Sequence, residues 1–228
     1  EGTVRETLDN LYETGLKIKK EINVPIHHCL AAQSESFSKI ASHPQAIAQC
    51  SEFLKAYRKS GTETEETTST SQAMEMAGKN REYAAIGSER AARINGLKIL
   101  EKEIENNKGN ATSFIVISRT ESESKKEGKK YKTSIALHPA EDRPGLLFDI
   151  LAIFKIQNIN LTKIESRPTE KKFGEYIFYM DFDGHQQDGN VKSATDFLRT
   201  IIPTIKIFGS YETEHGTENG SQQKSKEY

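Results

Sequence analysis

Apolar residues in the first half of the chain recur at spacings that alternate between helix and strand. Residues 8–12 carry them at helical spacing, residues 18–26 alternate as in a strand, and an apolar stripe predicts a helix over roughly residues 44–59. A Ser-x-x-Gln capping box at residues 69–72 begins a further helix. The apolar, β-branched run 114–117 is typical of a buried parallel strand. Short strands that alternate with helices predict an α/β fold.

The second half of the chain begins after a polar segment. Residues 119–132 hold mainly Ser, Glu, Lys and Gly, which cannot bury enough surface to offset the entropy of ordering, so we predict a charged linker there. Residues 133–211 follow the order strand, helix, strand, strand, helix, strand, which is the βαββαβ unit of ferredoxin-like domains. Residues 212–228 are polar, and we expect a disordered tail.

Composition narrows the class of partner. Of the 228 residues 35% are hydrophobic, and 32 Lys and Arg face 33 Asp and Glu, so no net field favours nucleic acid or an anionic membrane. No apolar run approaches the roughly 18 residues of a membrane span and no signal peptide pattern is present, so we expect a cytoplasmic protein. Cys29 and Cys50 are too few for a disulfide framework and are expected to be buried thiols.

Two predicted helix N-termini carry hydroxyl and amide groups. These are residues 42–45, with Gln49 one turn later, and residues 67–71. Because N–H groups at a helix start bind anions, a carboxylate ligand is one interpretation. Plain N-capping explains Ser42 and Ser69 without any ligand, and both interpretations stay open. Capping does not explain Gln49, which lies inside the predicted helix.

The remaining polar groups indicate no particular chemistry by themselves. Adjacent strand residues point to opposite faces, so His27 and His28 cannot both reach one ion, and we predict no metal site. Residues 110–114 place two hydroxyl groups at the entry of a predicted strand. Gly145 opens a helix where the backbone can approach a ligand closely. Residues 165–168 end a strand with a charged pair, which a solvated strand end also explains.

Three motifs in the second half resemble the phenylalanine-binding ACT domain. They are Pro-Gly-Leu-Leu at 144–147, the segment 158–168 with its Ile-Glu-Ser-Arg-Pro string, and Tyr-Ile-Phe-Tyr-Met-Asp at 176–181. The string is shared by two groups, prephenate dehydratases and the regulatory domains of aromatic amino acid hydroxylases. The rest of the chain therefore has to distinguish them.

The first half resembles the prephenate dehydratase family motif by motif. The matching segments, in order, are Glu1–Val4, Pro25–His28, Ser42–Gln45 with Gln49 and Cys50, Ser69–Ser71 with Ala73, Ala84–Ile86, Asn95–Leu97 and Asn110–Ile117. The resemblance covers about residues 1–211. It implies an α/β fold class in which a partial periplasmic-binding-protein-like (type II) catalytic domain precedes a βαββαβ ferredoxin-like ACT domain.

The resemblance also implies domain boundaries. Residues 1–118 correspond to the catalytic domain, residues 119–132 to the linker and residues 133–211 to the ACT regulatory domain. In the family most of a first lobe precedes the segment that starts at Glu1, so we expect a fragment whose active-site cleft lacks one wall. The Thr-Arg-Phe motif of the family is Thr-Ser-Phe here, and Ser113 cannot hold a carboxylate in two bonds as Arg does.

The activity implied by the resemblance is conversion of prephenate to phenylpyruvate, water and carbon dioxide in phenylalanine biosynthesis, with no cofactor and no metal. Thr112 matches the essential catalytic hydroxyl of the family, which acts as an acid or through a water. Ser42 and Gln49 match substrate-binding positions, and Ser69 and Thr70 are weaker candidates for contacts to the anion.

L-Phenylalanine is the implied allosteric effector. In ACT domains of this type it binds between two copies of the chain, so we expect a homodimer or homotetramer. The implied pocket residues open the first helix and the second strand of the domain, and are Gly145, Leu146, Leu147, Asn160 and Leu161, supported by Glu165, Ser166, Arg167 and Pro168.

Two other functions remain open. One is a phenylalanine-sensing protein without catalysis, which Ser113 and the expected missing lobe favour. A hydroxylase is a weaker alternative, because no iron-binding His-His-Glu catalytic domain follows the ACT motifs.

Overall fold

The computed structural model describes residues 4–120, 124–169 and 176–213. By its internal contacts the chain divides into two compact units, residues 23–112 and residues 1–22 with 113–228. The helices and strands, in chain order, are α1 (Arg5–Glu13), β1 (Lys17–Pro25), β2 (Cys29–Ala32), β3 (Lys39–Ser42), α2 (Pro44–Gln49), α3 (Ser51–Lys59), β4 (Glu63–Glu66), α4 (Thr70–Lys79), β5 (Tyr83–Gly87), α5 (Glu89–Ile94), β6 (Lys98–Lys102), β7 (Ala111–Ser118), β8 (Tyr131–His138), α6 (Leu146–Ile156), β9 (Leu161–Pro168), β10 (Tyr176–Asp183), α7 (Gly189–Ile201) and β11 (Thr204–Glu212).

The unit of residues 23–112 is built on a five-stranded sheet with the order β4-β3-β5-β2-β6. Strand β3 runs parallel to β4 and β5, whereas β2 pairs antiparallel with β5 and β6. Successive side chains of β2 lie on opposite faces of the sheet. Leu30 packs with Ile40 and Leu54 on one face, and Cys29 packs with Met74 on the other. Burial on both faces explains why this strand is a continuous apolar run.

The predicted helix over residues 44–59 is present but divides at Cys50, where α2 ends and α3 begins. The Cys50 N–H donates to the carbonyl oxygens of Ala46 (3.0 Å) and Ile47 (3.3 Å), which tightens the turn. Cys29 and Cys50 are both fully buried, as predicted. Burial raises the pKa of the Cys50 thiol to about 12 and that of Cys29 to about 11, so neither is a ready nucleophile.

The second unit holds a four-stranded antiparallel sheet with the order β11-β8-β10-β9. Its elements follow the βαββαβ order, which confirms the predicted ferredoxin-like ACT fold. Helices α6 and α7 pack on one face of the sheet, around a core that includes Ile150, Phe154 and Leu198. The other face packs against α1 and β1 through Leu11 and Ile18.

Strand β7 contains residues 114–117, and their observed burial differs from the predicted burial. It pairs with β1 in a separate two-stranded sheet. Phe114, Val116 and Ile117 are 55%, 43% and 48% exposed, so the prediction that this strand is buried is wrong. An apolar, β-branched composition predicts extended backbone, but burial depends on a second layer of structure that one strand does not specify.

Two predicted boundaries differ slightly from the strand ends. β8 begins at Tyr131, inside the predicted linker, because this ring is buried and packs edge-on against His185. β11 continues to Glu212, the first residue of the predicted tail. Residues 214–228 of that tail and residues 121–123 of the linker lie outside the described residues. Within the described ranges, no helix is both long and apolar enough to cross a membrane.

Candidate active site

Strand ends and helix starts meet at one edge of the five-stranded sheet. The mutually aligned strands β3, β4 and β5 end at Ser42, Glu66 and Gly87, and α2, α4 and α5 begin shortly after them. Because β2 runs antiparallel to β5, Cys29 lies opposite Gly87, which brings the preceding His28 to the same edge. Open α/β sheets bind ligands at the carboxyl ends of their parallel strands, so this edge is the candidate active site.

Ser42 ends β3, the middle one of the three aligned strands, and is fully buried. Its hydroxyl donates to the carbonyl oxygen of Ile86 at 2.8 Å, and its own carbonyl oxygen accepts from the Thr67 N–H at 2.9 Å. The side chain that caps α2 is His43, whose Nδ1 accepts from the Gln45 N–H at 3.2 Å. N-capping therefore does not account for Ser42, which instead joins β3 to β5 and to the loop that leads into α4.

Ser69 is the N-cap of α4, as the capping box predicts. Its hydroxyl oxygen accepts from the Gln72 N–H at 3.1 Å, while Gln72 Oε1 accepts from the backbone N–H of Thr68 at 2.9 Å. The next residue, Thr70, lies beside the end of β5, since a Cβ added to Gly87 would be 3.3 Å from Thr70 Cβ. The structure thus brings Ser42, Ser69 and Thr70 to one edge of the sheet.

Gln49, the last residue of α2, uses its side chain in a contact that sequence reasoning missed. Its Oε1 lies 2.9 Å from Nε2 of His28. Its backbone carbonyl accepts from the Asn106 N–H at 2.7 Å. The side chain is therefore held between α2 and the start of β2, at the same edge as Ser42.

Glu105 is a buried carboxylate that no sequence pattern singles out, because its partners His27 and His28 are far away in the chain. Its Oε1 is 2.9 Å from His27 Nδ1, and its Oε2 accepts from the His28 backbone N–H at 2.9 Å. Burial alone would raise the pKa of Glu105, but the hydrogen bonds from His27 and His28 hold it below its ordinary value. Among the described residues no cluster of His, Cys, Asp and Glu has the arrangement of a metal site.

Thr112 is exposed near the start of β7, in the last position of the unit of residues 23–112. The carbonyl oxygen of Asn110, two residues earlier, accepts from the Ile26 N–H at 2.8 Å. Ser113, which stands where the family motif has Arg, donates to Glu21 Oε1 at 2.6 Å. Burial raises the pKa of Glu21, and hydrogen bonds from Lys132 and Ser113 outweigh this and lower it. Ser113 thus belongs to an ion-pair network of the second unit.

In the ACT domain, Gly145, Leu146 and Leu147 lie where α6 begins. Gly145 has φ +82°, and a Cβ added there would meet no described atom within 4 Å. Leu146 is buried in the core between helices and sheet, against which Leu161 also packs, whereas Leu147 is 38% exposed. Asn160 donates through Nδ2 to Asp183 Oδ2 at 2.9 Å.

The four supporting residues of β9 are divided between the two faces of its sheet. Glu165 and Arg167 pair with Tyr179 and Ile177, which belong to the cluster that contacts α1. Arg167 Nη1 accordingly binds Asp9 Oδ1 of α1 at 2.9 Å. Ser166 and Pro168 alternate with them and lie on the side of α6 and α7. Within one chain, only these two share a face with Leu146 and Leu161.

The fold and the grouped side chains define a class of protein: an α/β unit with a candidate ligand site at the carboxyl edge of its sheet, on a chain that also carries a ferredoxin-like domain. A family model described as prephenate dehydratase matches residues 1–122, and one described as ACT domain matches residues 140–199. The chain belongs to the prephenate dehydratase family, a family of hydro-lyases. This confirms the family, the fold class and the kind of enzyme predicted from the motifs.

Curated relatives of the chain are also named prephenate dehydratases. The chain is 40% identical over 215 residues to the prephenate dehydratase of Methanocaldococcus jannaschii, which covers 92% of this chain and 77% of that protein. It is 39% identical to the bifunctional chorismate mutase/prephenate dehydratase of Aquifex aeolicus, with 92% of this chain and 58% of that protein covered. The chain thus spans less than two thirds of the length of the Aquifex relative.

Solved structures extend the comparison to the fold. A prephenate dehydratase from Arthrobacter aurescens in complex with L-Phe is similar with a TM-score of 0.79 and 34% identity, over 92% of this chain and 71% of that one. A protein described as GqqA, a novel type of quorum quenching acylase, is similar with a TM-score of 0.80 and 28% identity, over 94% of this chain and 78% of that one.

Proposed function

We propose that this chain carries out the decarboxylating dehydration of prephenate to phenylpyruvate. The observation that supports the proposal most directly is the grouping of Ser42, Gln49 and Thr70 at one sheet edge. In the reaction the ring carboxylate leaves as carbon dioxide, and its bonding electrons restore the aromatic ring as the ring C–O bond breaks. The departing hydroxide takes up a proton and leaves as water. The electrons balance without a redox cofactor.

The polar groups at the edge suit a dianionic substrate. We assign Gln49 to binding a substrate carboxylate, with Thr70 and Ser69 beside it at the start of α4, where helix N–H groups favour negative charge. Ser42 is assigned to the same site, and because its one O–H donates to the Ile86 carbonyl oxygen in this structure, it must turn away from Ile86 to donate to the substrate. Thr112 is assigned the catalytic role: its hydroxyl helps the ring hydroxyl to leave, as an acid or through a water.

Regulation is proposed for the ACT domain of residues 133–211. L-Phenylalanine is the effector, with Gly145, Leu147 and Asn160 in its pocket and the leucine side chains covering its ring. The effector complex of the Arthrobacter relative supports this choice of ligand. Because the proposed pocket forms between two copies of the chain, the assembly is a homodimer or homotetramer. The two buried free thiols suit the reducing cytoplasm.

The alternative is a protein that senses phenylalanine without catalysis. Ser113 favours it, because the guanidinium of the family motif is replaced by a hydroxyl that binds Glu21. The decisive experiment is to supply prephenate to the full-length protein and to follow phenylpyruvate by its absorbance in alkali, with and without L-phenylalanine. Turnover that responds to L-phenylalanine is the expected result. Binding of L-phenylalanine without turnover would establish the sensing function instead.

A further inference from the structure

The imidazole of His28 has a feature that packing does not explain. The residue is 8% exposed, and its Nδ1 is buried with no hydrogen-bond partner within the described part of the chain. A buried polar atom without a partner lowers stability. An apolar side chain of similar size would fill the same space without this cost. The presence of a histidine at this position is therefore better explained by the contact between its other ring nitrogen, Nε2, and Gln49.

The backbone around this contact is held from one side by a single segment. The His28 carbonyl accepts from the Ile104 N–H at 3.0 Å, and the His28 N–H donates to Glu105 Oε2 at 2.9 Å. The Gln49 carbonyl accepts from the N–H of the next residue, Asn106, at 2.7 Å. Residues 104–106 thus fix His28 and Gln49 relative to each other.

The chemistry of the two side chains determines where the hydrogen atoms lie. An amide oxygen is only an acceptor, so the Nε2 of His28, 2.9 Å from Gln49 Oε1, must carry a proton and donate it. This bond selects one of the two orientations of the amide. It turns the amide nitrogen of Gln49, with its two N–H donors, away from His28.

We propose that His28 is a positioning residue that orients the Gln49 amide so that its nitrogen donates to a substrate carboxylate. His28 acts through Gln49 and does not touch the substrate. The proposal rests on the proposed function, because it takes the carboxylate to be that of prephenate. A group that binds the ground state and the transition state alike changes KM and leaves kcat nearly unchanged.

Two substitutions of similar size separate this role from a structural one. In His28→Gln the amide nitrogen of the new side chain can occupy the position of Nε2 and keep the bond to Gln49. The shorter side chain in His28→Asn reaches only the position of Nδ1. We expect His28→Asn to raise KM for prephenate about tenfold with kcat nearly unchanged, and His28→Gln to restore most of the wild-type KM.

A double variant and a neighbouring control sharpen the test. His28→Asn combined with Gln49→Ala should raise KM no further than Gln49→Ala alone, because both changes remove the same contact to substrate. His27→Asn is the control, since His27 also bonds Glu105 but does not contact Gln49, and its KM should match that of the wild type. Full additivity in the double variant, or an unchanged KM in His28→Asn, would overturn the proposal.

The proton on His28 is measurable without any turnover. Nitrogen-15 NMR of the histidine rings of the wild-type chain should identify His28 as protonated on Nε2. A neutral ring protonated only on Nδ1 would overturn the proposal even in an active enzyme. A wild-type protein that does not convert prephenate would instead contradict the proposed function, and the NMR result would still decide whether His28 orients Gln49.

Discussion

The two larger sheets of this chain arrange their candidate ligand residues in opposite ways. In the unit of residues 23–112, His28, Ser42 and Thr70 belong to separate segments of the sequence, yet they lie at one edge because β2, β3 and β5 are aligned there. In the ACT domain the Ile-Glu-Ser-Arg-Pro string is continuous, yet strand geometry sends Glu165 and Arg167 to one face and Ser166 and Pro168 to the other. Proximity in sequence and proximity in space are therefore poor guides to each other here.

The difference follows from what covers each sheet. Helices bury both faces of the five-stranded sheet, so only its edges are open to a ligand. The antiparallel ACT sheet has helices on one face and α1 with β1 on the other, so each strand divides its side chains between two environments. A site at the edge of a sheet contains residues from several strands, whereas a continuous motif on one strand places its side chains on both faces of the sheet.

The largest expected effect tests the catalytic assignment of Thr112, which is exposed at the start of β7. Thr112→Ala should lower kcat roughly 100- to 1000-fold with little change in KM, because loss of one donor to transition-state charge costs about 2.7–4 kcal/mol. Thr112→Ser keeps the hydroxyl and should retain much of the rate. Steady-state kinetics with prephenate provide the measurement. An unchanged kcat in Thr112→Ala would contradict the catalytic role assigned to Thr112.

A second prediction concerns the face of the ACT sheet that packs on β1. A Cβ added to Gly209 would clash with the carbonyl oxygen of Ile18, so the glycine is what allows β1 to approach. Gly209→Ala should lower the free energy of unfolding by about 1–3 kcal/mol, as overpacking does. Gly189→Ala is the control, because a Cβ there meets no described atom within 4 Å. Equal denaturant midpoints for the two variants would show that this contact contributes little.

The third prediction tests the other face of the same domain. Gly145→Val should weaken binding of L-phenylalanine about tenfold, because the new side chain fills the space that the effector is proposed to use. Gly128→Val is a matched control, since Gly128 also has a positive φ and open space around it. Calorimetric titration of the full chain with L-phenylalanine would measure both. Equal affinities in the two variants argue against a pocket at the start of α6.

The prediction with the smallest expected effect compares one carboxylate from each unit. The pKa values of Glu105 and Glu21 are both held below the ordinary value in the folded chain, against the upward effect of burial. Each carboxylate therefore stabilises the fold above the ordinary Glu pKa of about 4.3, and this contribution is lost as pH falls through and below that value. Glu105→Gln and Glu21→Gln should each flatten the acid limb of stability against pH. An unchanged acid limb in both variants, measured by denaturant unfolding at a series of pH values, would contradict this account of the two carboxylates.

Periodicity predicted most of the fold because each helix and strand repeats its own burial pattern. It identified the βαββαβ order and the helix that contains Gln49, but it could not detect the break at Cys50, since the apolar stripe stays in phase across it. It also predicted burial for Phe114, which is 55% exposed, because an apolar strand does not specify what covers it.

The candidate site was predictable only in part. The resemblance supplied Ser42 and Gln49, and the capping box supplied Ser69. The contacts of His28 and Glu105 depend on how β2 aligns beside α2 and the segment after β6, which no spacing in the sequence encodes. His43, and not Ser42, caps α2, because the Ser42 hydroxyl donates its hydrogen bond to the carbonyl oxygen of Ile86.

The most direct test of the account is the KM for prephenate of Gln49→Glu, measured beside Glu52→Gln, an exposed change on the next helix. The Gln49 substitution keeps the shape and an oxygen for His28, but it replaces the amide donor with a second negatively charged oxygen. If Gln49 binds a substrate carboxylate at the sheet edge, KM should rise more than about tenfold through the lost donor and charge repulsion. An unchanged KM in Gln49→Glu would contradict the assignment of this edge as the substrate site.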